Sequence, residues 1–203
     1  NPNFFFVQMA DSQIGFMKSI NDINHSRDYY SYKLEKQMLK KAIKYINILQ
    51  PAFAIVCGDM TNEWPEPQLI KKNIKDINLS ESQEKLIKNG QRLIRNKQIK
   101  DYKQITSKSK VPLICLCGNH DVGNIPSNAS LREYKKNFGL DYYSFTAGKC
   151  KCIIINSQLL KDDTLVKRER MKHDQWLEQE LEKADKDPLV ERIMIFGHIP
   201  LFI

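Results

Sequence analysis

No stretch of the 203 residues approaches the ~18 to 20 consecutive apolar positions that a bilayer-spanning helix needs. The first residues also lack the charged segment and small-residue cleavage site of a secretory signal. The chain starts inside an apolar run and without methionine, which leaves room for an upstream targeting segment. Internal repeats and low-complexity tracts are absent, which excludes a repeat array. The five cysteines are an odd number, and four of them form the pairs Cys115/Cys117 and Cys150/Cys152 inside apolar runs. Residues i and i+2 share one face of a strand, so these read as small buried core residues rather than a soft-metal or redox site. A reduced, cytoplasmic setting is the resulting expectation. Asn-x-Ser patterns at Asn24, Asn78 and Asn128 are ascribed to chance in a chain with many asparagines.

What is present begins with charge. The net charge is +8, and between Glu66 and Lys110 twelve Lys and Arg stand against five acids, so one segment holds nearly all of the excess. At 41% hydrophobic, the chain is long enough for one substantial core. From Tyr32 to Leu49, the residues Leu34, Met38, Ala42, Ile46 and Leu49 recur at helical spacing, which predicts a helix with one buried stripe ended by Pro51. Phe53 to Cys57 is short and uniformly apolar, which predicts a buried strand, and strand–helix–strand order predicts parallel neighbours.

Residues 63 to 79 read as a loop excursion, and Ser80 with Gln83 as a capping box opening a helix to about Thr106. Its Lys88, Arg92, Arg95 and Lys103 fall near one side, a basic stripe that reads first as a solvated face and second as a guide for an anionic substrate. Further expectations are a strand over 112–117, a helix over 130–138, a hairpin of 142–145 with 149–156, a helix over 175–185 and a strand over 190–196. The fold class is α/β.

Four polar segments stand where apolar runs stop: Asp11-Ser12-Gln13, Gly58-Asp59-Met60-Thr61-Asn62, Gly118-Asn119-His120-Asp121 and Gly197-His198. In open α/β sheets the ligand crevice lies beyond the carboxyl ends of the strands. Oxygen and imidazole donors gathered there read as a metal site for Mn²⁺, Fe, Zn²⁺ or Mg²⁺. Each segment alone is equally well a turn, a helix cap or a satisfied histidine. His25 and His173 lie outside these segments and read as surface residues; Phe16, Trp64 and Asn124 are candidates for lining a pocket.

In this order the four segments resemble the signature of the calcineurin-like metallophosphoesterase superfamily. Further stretches resemble its calcineurin-like phosphoesterase domain-containing group: Asn156-Ser157-Gln158, Asp174-Gln175-Trp176-Leu177 and His198-Ile199-Pro200-Leu201-Phe202. The resemblance implies a sandwich of two mixed β-sheets flanked by helices, and a metal-dependent phosphomonoesterase, with members described as serine/threonine phosphatases. It implies two divalent ions, with Mn²⁺ the first choice, a hydroxide bridging them for in-line attack on phosphate, and Asp59 as the bridging carboxylate. Asp11 and Gln13 would hold the first ion, Asn119 and His198 the second, and His120 would protonate the leaving group. In many members a carboxylate orients that histidine; here the position is Asn62, with Asp121 as the substitute.

Two departures stand out. The first segment ends in Gln13 where the family has His, and the family's final Gly-His-x-His segment is not reached by Ile203, so the chain reads as one domain over 1–203 that is incomplete at its C-terminal end. The expected substrate is a phosphorylated protein or small phosphate ester, with no membrane and, for lack of interleaved aromatics, no nucleic-acid track. The Asp-x-Gln variant also resembles Mn²⁺-dependent hydrolases of ADP-ribose and CDP-alcohols, and a catalytically weak phosphoprotein-binding module is the reading from a different class.

Overall fold

The computed structural model describes residues 4–17, 32–65 and 80–200. His25, Asn24, Asn78, Leu201, Phe202 and most of the expected excursion over 63–79 lie outside them.

Two three-stranded sheets form the centre. The first holds β1 (Phe6–Met9), β2 (Phe53–Cys57) and β3 (Leu113–Leu116) in the order β1-β2-β3, parallel throughout. The second holds β4 (Tyr143–Ala147), β5 (Cys150–Ile154) and β6 (Arg192–Phe196); β4 and β5 form the expected antiparallel hairpin, and β6 joins β5 in parallel. β2 is buried at every position because it is central and covered on both faces. Phe53, Ile55 and Cys57 point into a core shared with Cys150, Cys152, Ile154 and Phe196 of the second sheet, so the sheets pack face to face. Phe53 stacks on Phe6 at 5.0 Å and meets Phe145 edge-on at 5.1 Å. Ala54 and Val56 face the other way, into the helical layer.

That layer contains α1 (Lys33–Leu49) and α2 (Glu81–Thr106), tied by an ion pair from Lys36 to Asp101 at 3.2 Å. α1 carries two apolar stripes, and the structure buries Leu39, Ile43 and Ile46; Leu34, Met38 and Leu49 of the expected stripe are exposed. The helix fixes only the period, whereas the phase is chosen by what it packs against. α2 opens on the expected box: the Ser80 hydroxyl accepts from Gln83 N–H while the Gln83 side chain accepts from Ser80 N–H. Of its basic stripe, Arg95 is 2% exposed and is not part of any solvated face.

α3 (Asn119–Val122), α4 (Asn128–Phe138), α5 (Ser157–Lys161) and α6 (Lys167–Lys186) follow. α6 starts eight residues before the expected helix, because its buried positions His173, Glu180 and Ala184 include polar residues that hide the periodicity. His173 is fully buried, not on the surface: its Nε2 accepts from Asn156 N–H and its Nδ1 faces Asp174 at 3.1 Å. Burial holds its pKa below the ordinary histidine value. All five cysteines are free, and burial pushes the thiols of Cys57 and Cys115 up to about 11 and that of Cys152 to about 12. Among the described residues, no helix is long and apolar enough to cross a membrane.

Candidate metal centre

Each of the four polar segments emerges at the carboxyl end of its strand. Asp11 follows β1, Asp59 follows β2, Asn119 and His120 follow β3, and His198 follows β6. Residues 11–14 run alongside 58–61 as a continuation of the sheet, with Asp11 N–H donating to Gly58 O (3.2 Å), Gln13 N–H to Asp59 O (2.9 Å) and Ile14 N–H to Met60 O (3.3 Å). Asp11, Gln13 and Asp59 have φ of 54°, 29° and 55°, and they are three of the five non-glycine residues at positive φ among those described. Left-handed backbone in residues with a Cβ concentrates where surrounding structure holds it for function. Gly58, at φ 85°, admits the close approach: a Cβ there would lie 2.8 Å from the backbone of Gly118.

One ligand atom from each of Asp11, Asp59 and His198 lies within 4.8 Å of the others, the only such group of His, Cys, Asp and Glu found among the described residues. Asp59 is buried; its Oδ1 accepts from His120 N–H (2.9 Å) and its Oδ2 from the Gln13 amide (3.2 Å). Gln13 therefore turns its nitrogen, not its oxygen, toward Asp59, and presents the oxygen only if the amide rotates. Burial and the neighbouring Asp59 charge raise the pKa of Asp11. Crowded carboxylates of this kind are relieved by a cation.

His198 supplies the sharper test of fit. Its Nδ1 donates to Cys57 O (2.8 Å), which leaves Nε2 as a lone pair in the neutral ring. That nitrogen faces Asn119 Oδ1 at 3.1 Å and Asp59 Oδ2 at 3.7 Å. With the Asn119 amide presenting its oxygen, three acceptors converge on one point, an arrangement that a bound cation satisfies. The donor set, two carboxylates, an amide oxygen and an imidazole, fits a divalent first-row cation.

His120 sits at the rim. Its Nδ1 donates to the main-chain carbonyl of Asn62 (2.5 Å), not to the Asn62 side chain, and its ring lies 4.2 Å from that of Trp64. Asp121 does not take the place of an orienting carboxylate. Fully buried, it accepts from the backbone N–H groups of Asp59 (2.6 Å), Gly118 (2.8 Å) and Met60 (3.2 Å), holding the β2 loop against the β3 loop. Burial, followed by the Asp59 charge, pushes its pKa up to about 7. Beside Asp11 opens a cavity of about 280 Å³ lined by Met9, Phe16, Met17, Met38 and Leu39, with Glu35 as its one buried carboxylate. Asn124 is exposed.

Two supporting residues, named in the sequence only as parts of the Asn156-Ser157-Gln158 stretch and of the basic stripe, have roles that no local pattern gives. Ser157 Oγ accepts from His198 N–H (3.1 Å) and Ile199 N–H (2.9 Å), fixing the loop after β6. Arg95 reaches the loops after β2 and β3 from α2. Only its place in an amphipathic count of α2, on the side turned toward the sheet, could have separated it from the charge run around it.

No protein-family model matches the chain. The serine/threonine-protein phosphatase CPPED1 of Danio rerio is 32% identical over 98% of the chain, and that of Bos taurus 31% identical over 98%. The chain spans 58% and 57% of the length of these two relatives. A solved structure described as a dimetal phosphatase from Danio rerio superposes with a TM-score of 0.50 at 15% identity, covering 99% of this chain and 71% of that one. The chain is thus similar over nearly its whole length to proteins named serine/threonine-protein phosphatases, and its two-sheet architecture shares the fold of that solved phosphatase.

Proposed function

We propose that the chain carries the core of a metal-dependent phosphoric monoester hydrolase that acts on phosphorylated serine or threonine, with Mn²⁺ the first ion to test. The observation that carries this reading is the convergence of Asp11, Asp59 and His198 from three separate strand ends, with Asn119 facing the same His198 nitrogen. The names of the curated relatives, serine/threonine phosphatases, support this choice of substrate class. Asp11, Asp59, Asn119 and His198 would hold the ions, with Gln13 joining if its amide turns. Divalent ions in such a site polarise phosphoryl oxygens and activate the attacking water.

The chain's own part lies in positioning and proton transfer. With Nδ1–H committed to the Asn62 carbonyl, the proton that His120 gains or gives up is carried on Nε2, which suits it to protonate a departing serine or threonine oxygen. Trp64 against the imidazole face keeps the ring in that orientation. Hydrolysis of p-nitrophenyl phosphate and of its bis-ester by the full-length protein, with and without Mn²⁺, tests the reading, with Asp59→Ala as control. Metal-dependent monoester turnover lost in the control is the expected result. Turnover that survives Asp59→Ala overturns it, and a phosphopeptide retained without any turnover would favour a binding module.

The cavity beside Asp11 favours a second reading, hydrolysis of a nucleotide pyrophosphate, because Phe16 and the methionines around it could take up a flat apolar group. Preference for the bis-ester would bring that reading forward.

A further inference from the structure

Arg95 is 2% exposed, yet it comes from the middle of a helix that carries seven Lys and Arg. A guanidinium removed from water is costly unless its donors are satisfied. Here they are. Nε donates to Glu133 of α4 (2.5 Å), Nη1 to the carbonyl of His120 (3.0 Å), to that of Glu63 and more distantly to Thr61 Oγ1 (3.5 Å), and Nη2 to the carbonyl of Asp121 (3.1 Å). Apart from Glu133, these acceptors belong to two segments, the one after β2 that includes Asp59 and the one after β3 that starts with Asn119. Gln98, one turn further along the same face, accepts from Glu63 N–H (2.8 Å) and anchors the first loop again. Three of the five contacts are to main-chain carbonyls, so the arrangement sets backbone position rather than pairing charge with charge.

We infer that Arg95 is the positioning residue of the metal centre, clamping the β2 and β3 loops together so that Asp59 and Asn119 meet His198 and so that His120 stays against Trp64; this rests on the metal-centre reading above. A lysine cannot replace it, because an ammonium on a flexible stem lacks the planar fork that reaches carbonyls on both sides. The hydrogen bonds of Arg95 go to neighbours of Asp59 and Asn119 rather than to those two side chains, so its effect passes through the backbone. Residues that orient ligands in this way typically account for about 10- to 100-fold in metal affinity.

The test uses the full-length protein labelled with 5-fluorotryptophan, the Trp64 resonance being assigned by its loss in Trp64→Phe. In Arg95→Met the metal-free protein should show the Trp64 resonance displaced, and calorimetric Mn²⁺ titration should show affinity weakened about 10- to 100-fold. Arg95→Lys should fall between and serves as the second variant if Arg95→Met does not fold. Ile105→Ala, at a buried core position of the same helix, should lower the melting temperature while leaving the Trp64 resonance and Mn²⁺ affinity where they were. A folded Arg95 variant with both readouts unchanged overturns the inference. So does Ile105→Ala if it moves Trp64 as far as Arg95→Met does. If Trp64 responds to Arg95→Met while no form of the protein binds Mn²⁺, the clamp on the loops stands and the metal-centre reading falls.

Discussion

Adding one methyl group at Gly118 should damage this protein, while adding the same group at Gly90 should help it. Gly118 has φ −108°, open to any residue, so its backbone conformation makes no demand for glycine. Space does. A Cβ there would collide with the Asp59 carboxylate and lie 2.7 Å from Asp59 N. Asp59 cannot retreat cheaply, because its N–H donates to Asp121 Oδ2 (2.6 Å) and its Oδ1 accepts from His120 N–H (2.9 Å). Overpacking costs about 1–3 kcal/mol and losing one charge-assisted hydrogen bond about 1.5–3 kcal/mol, so Gly118→Ala should destabilise by about 2.5–6 kcal/mol. At Gly90, inside α2, an added Cβ meets nothing within 4 Å, and Gly→Ala in a helix interior should stabilise by about 0.5–1 kcal/mol. Urea unfolding of the metal-free protein reads both signs from the midpoint at unchanged slope. A Gly118→Ala protein that unfolds at the wild-type midpoint and still binds metal would mean that the β2 and β3 loops do not approach each other in this way.

Three further outcomes follow from the same structure. Hydrogen bonds to Lys151, Lys183 and Ser144 hold the Glu180 carboxyl down to about 2, below its ordinary 4.5. The unfolded chain then binds more protons between these values, so stability is present above about pH 4.5 and is lost as pH falls toward 2; Glu180→Gln should flatten that part of an acid-unfolding curve. Ser157→Ala leaves the N–H groups of His198 and Ile199 without their acceptor and should cost about 1–3 kcal/mol together with weaker metal binding, measured by denaturation and calorimetry. Leu39→Ala, 5% exposed, should cost about 2–5 kcal/mol, whereas Met38→Ala, 62% exposed, should stay within about 0.5 kcal/mol; equal losses would refute the phase of α1.

The parts of the molecule that the sequence makes legible are those governed by neighbours along the chain. The buried run Phe53–Cys57, the Ser80–Gln83 box and the hairpin through Ala147-Gly148 each depend on a few adjacent residues, and each is present. The segments that form the candidate centre are legible for a related reason, since each begins where an apolar strand stops. Long-range choices are not written locally. α1 has apolar residues on more than one side, and packing selects Leu39 and Ile43 beside the expected Ile46. Arg95 and His173 are polar residues that local pattern assigns to water, and both are buried because partners distant in sequence satisfy them. Asp121 is legible as part of a motif, but its role behind Asp59 depends on two loops whose meeting no spacing reveals.

The bond from His198 to the Cys57 carbonyl joins positions 141 apart in the chain, and Asp11 lies further still from His198. The donors around the candidate centre are therefore among the last groups to find each other, after parallel strands with long crossovers have docked and the loop-closure entropy has been met. An unfolded or half-made chain offers no cluster for a cation to hold. Binding free energy would then add to folding free energy, and metal uptake would act as a late checkpoint, distinguishing molecules with both sheets assembled from those with only one.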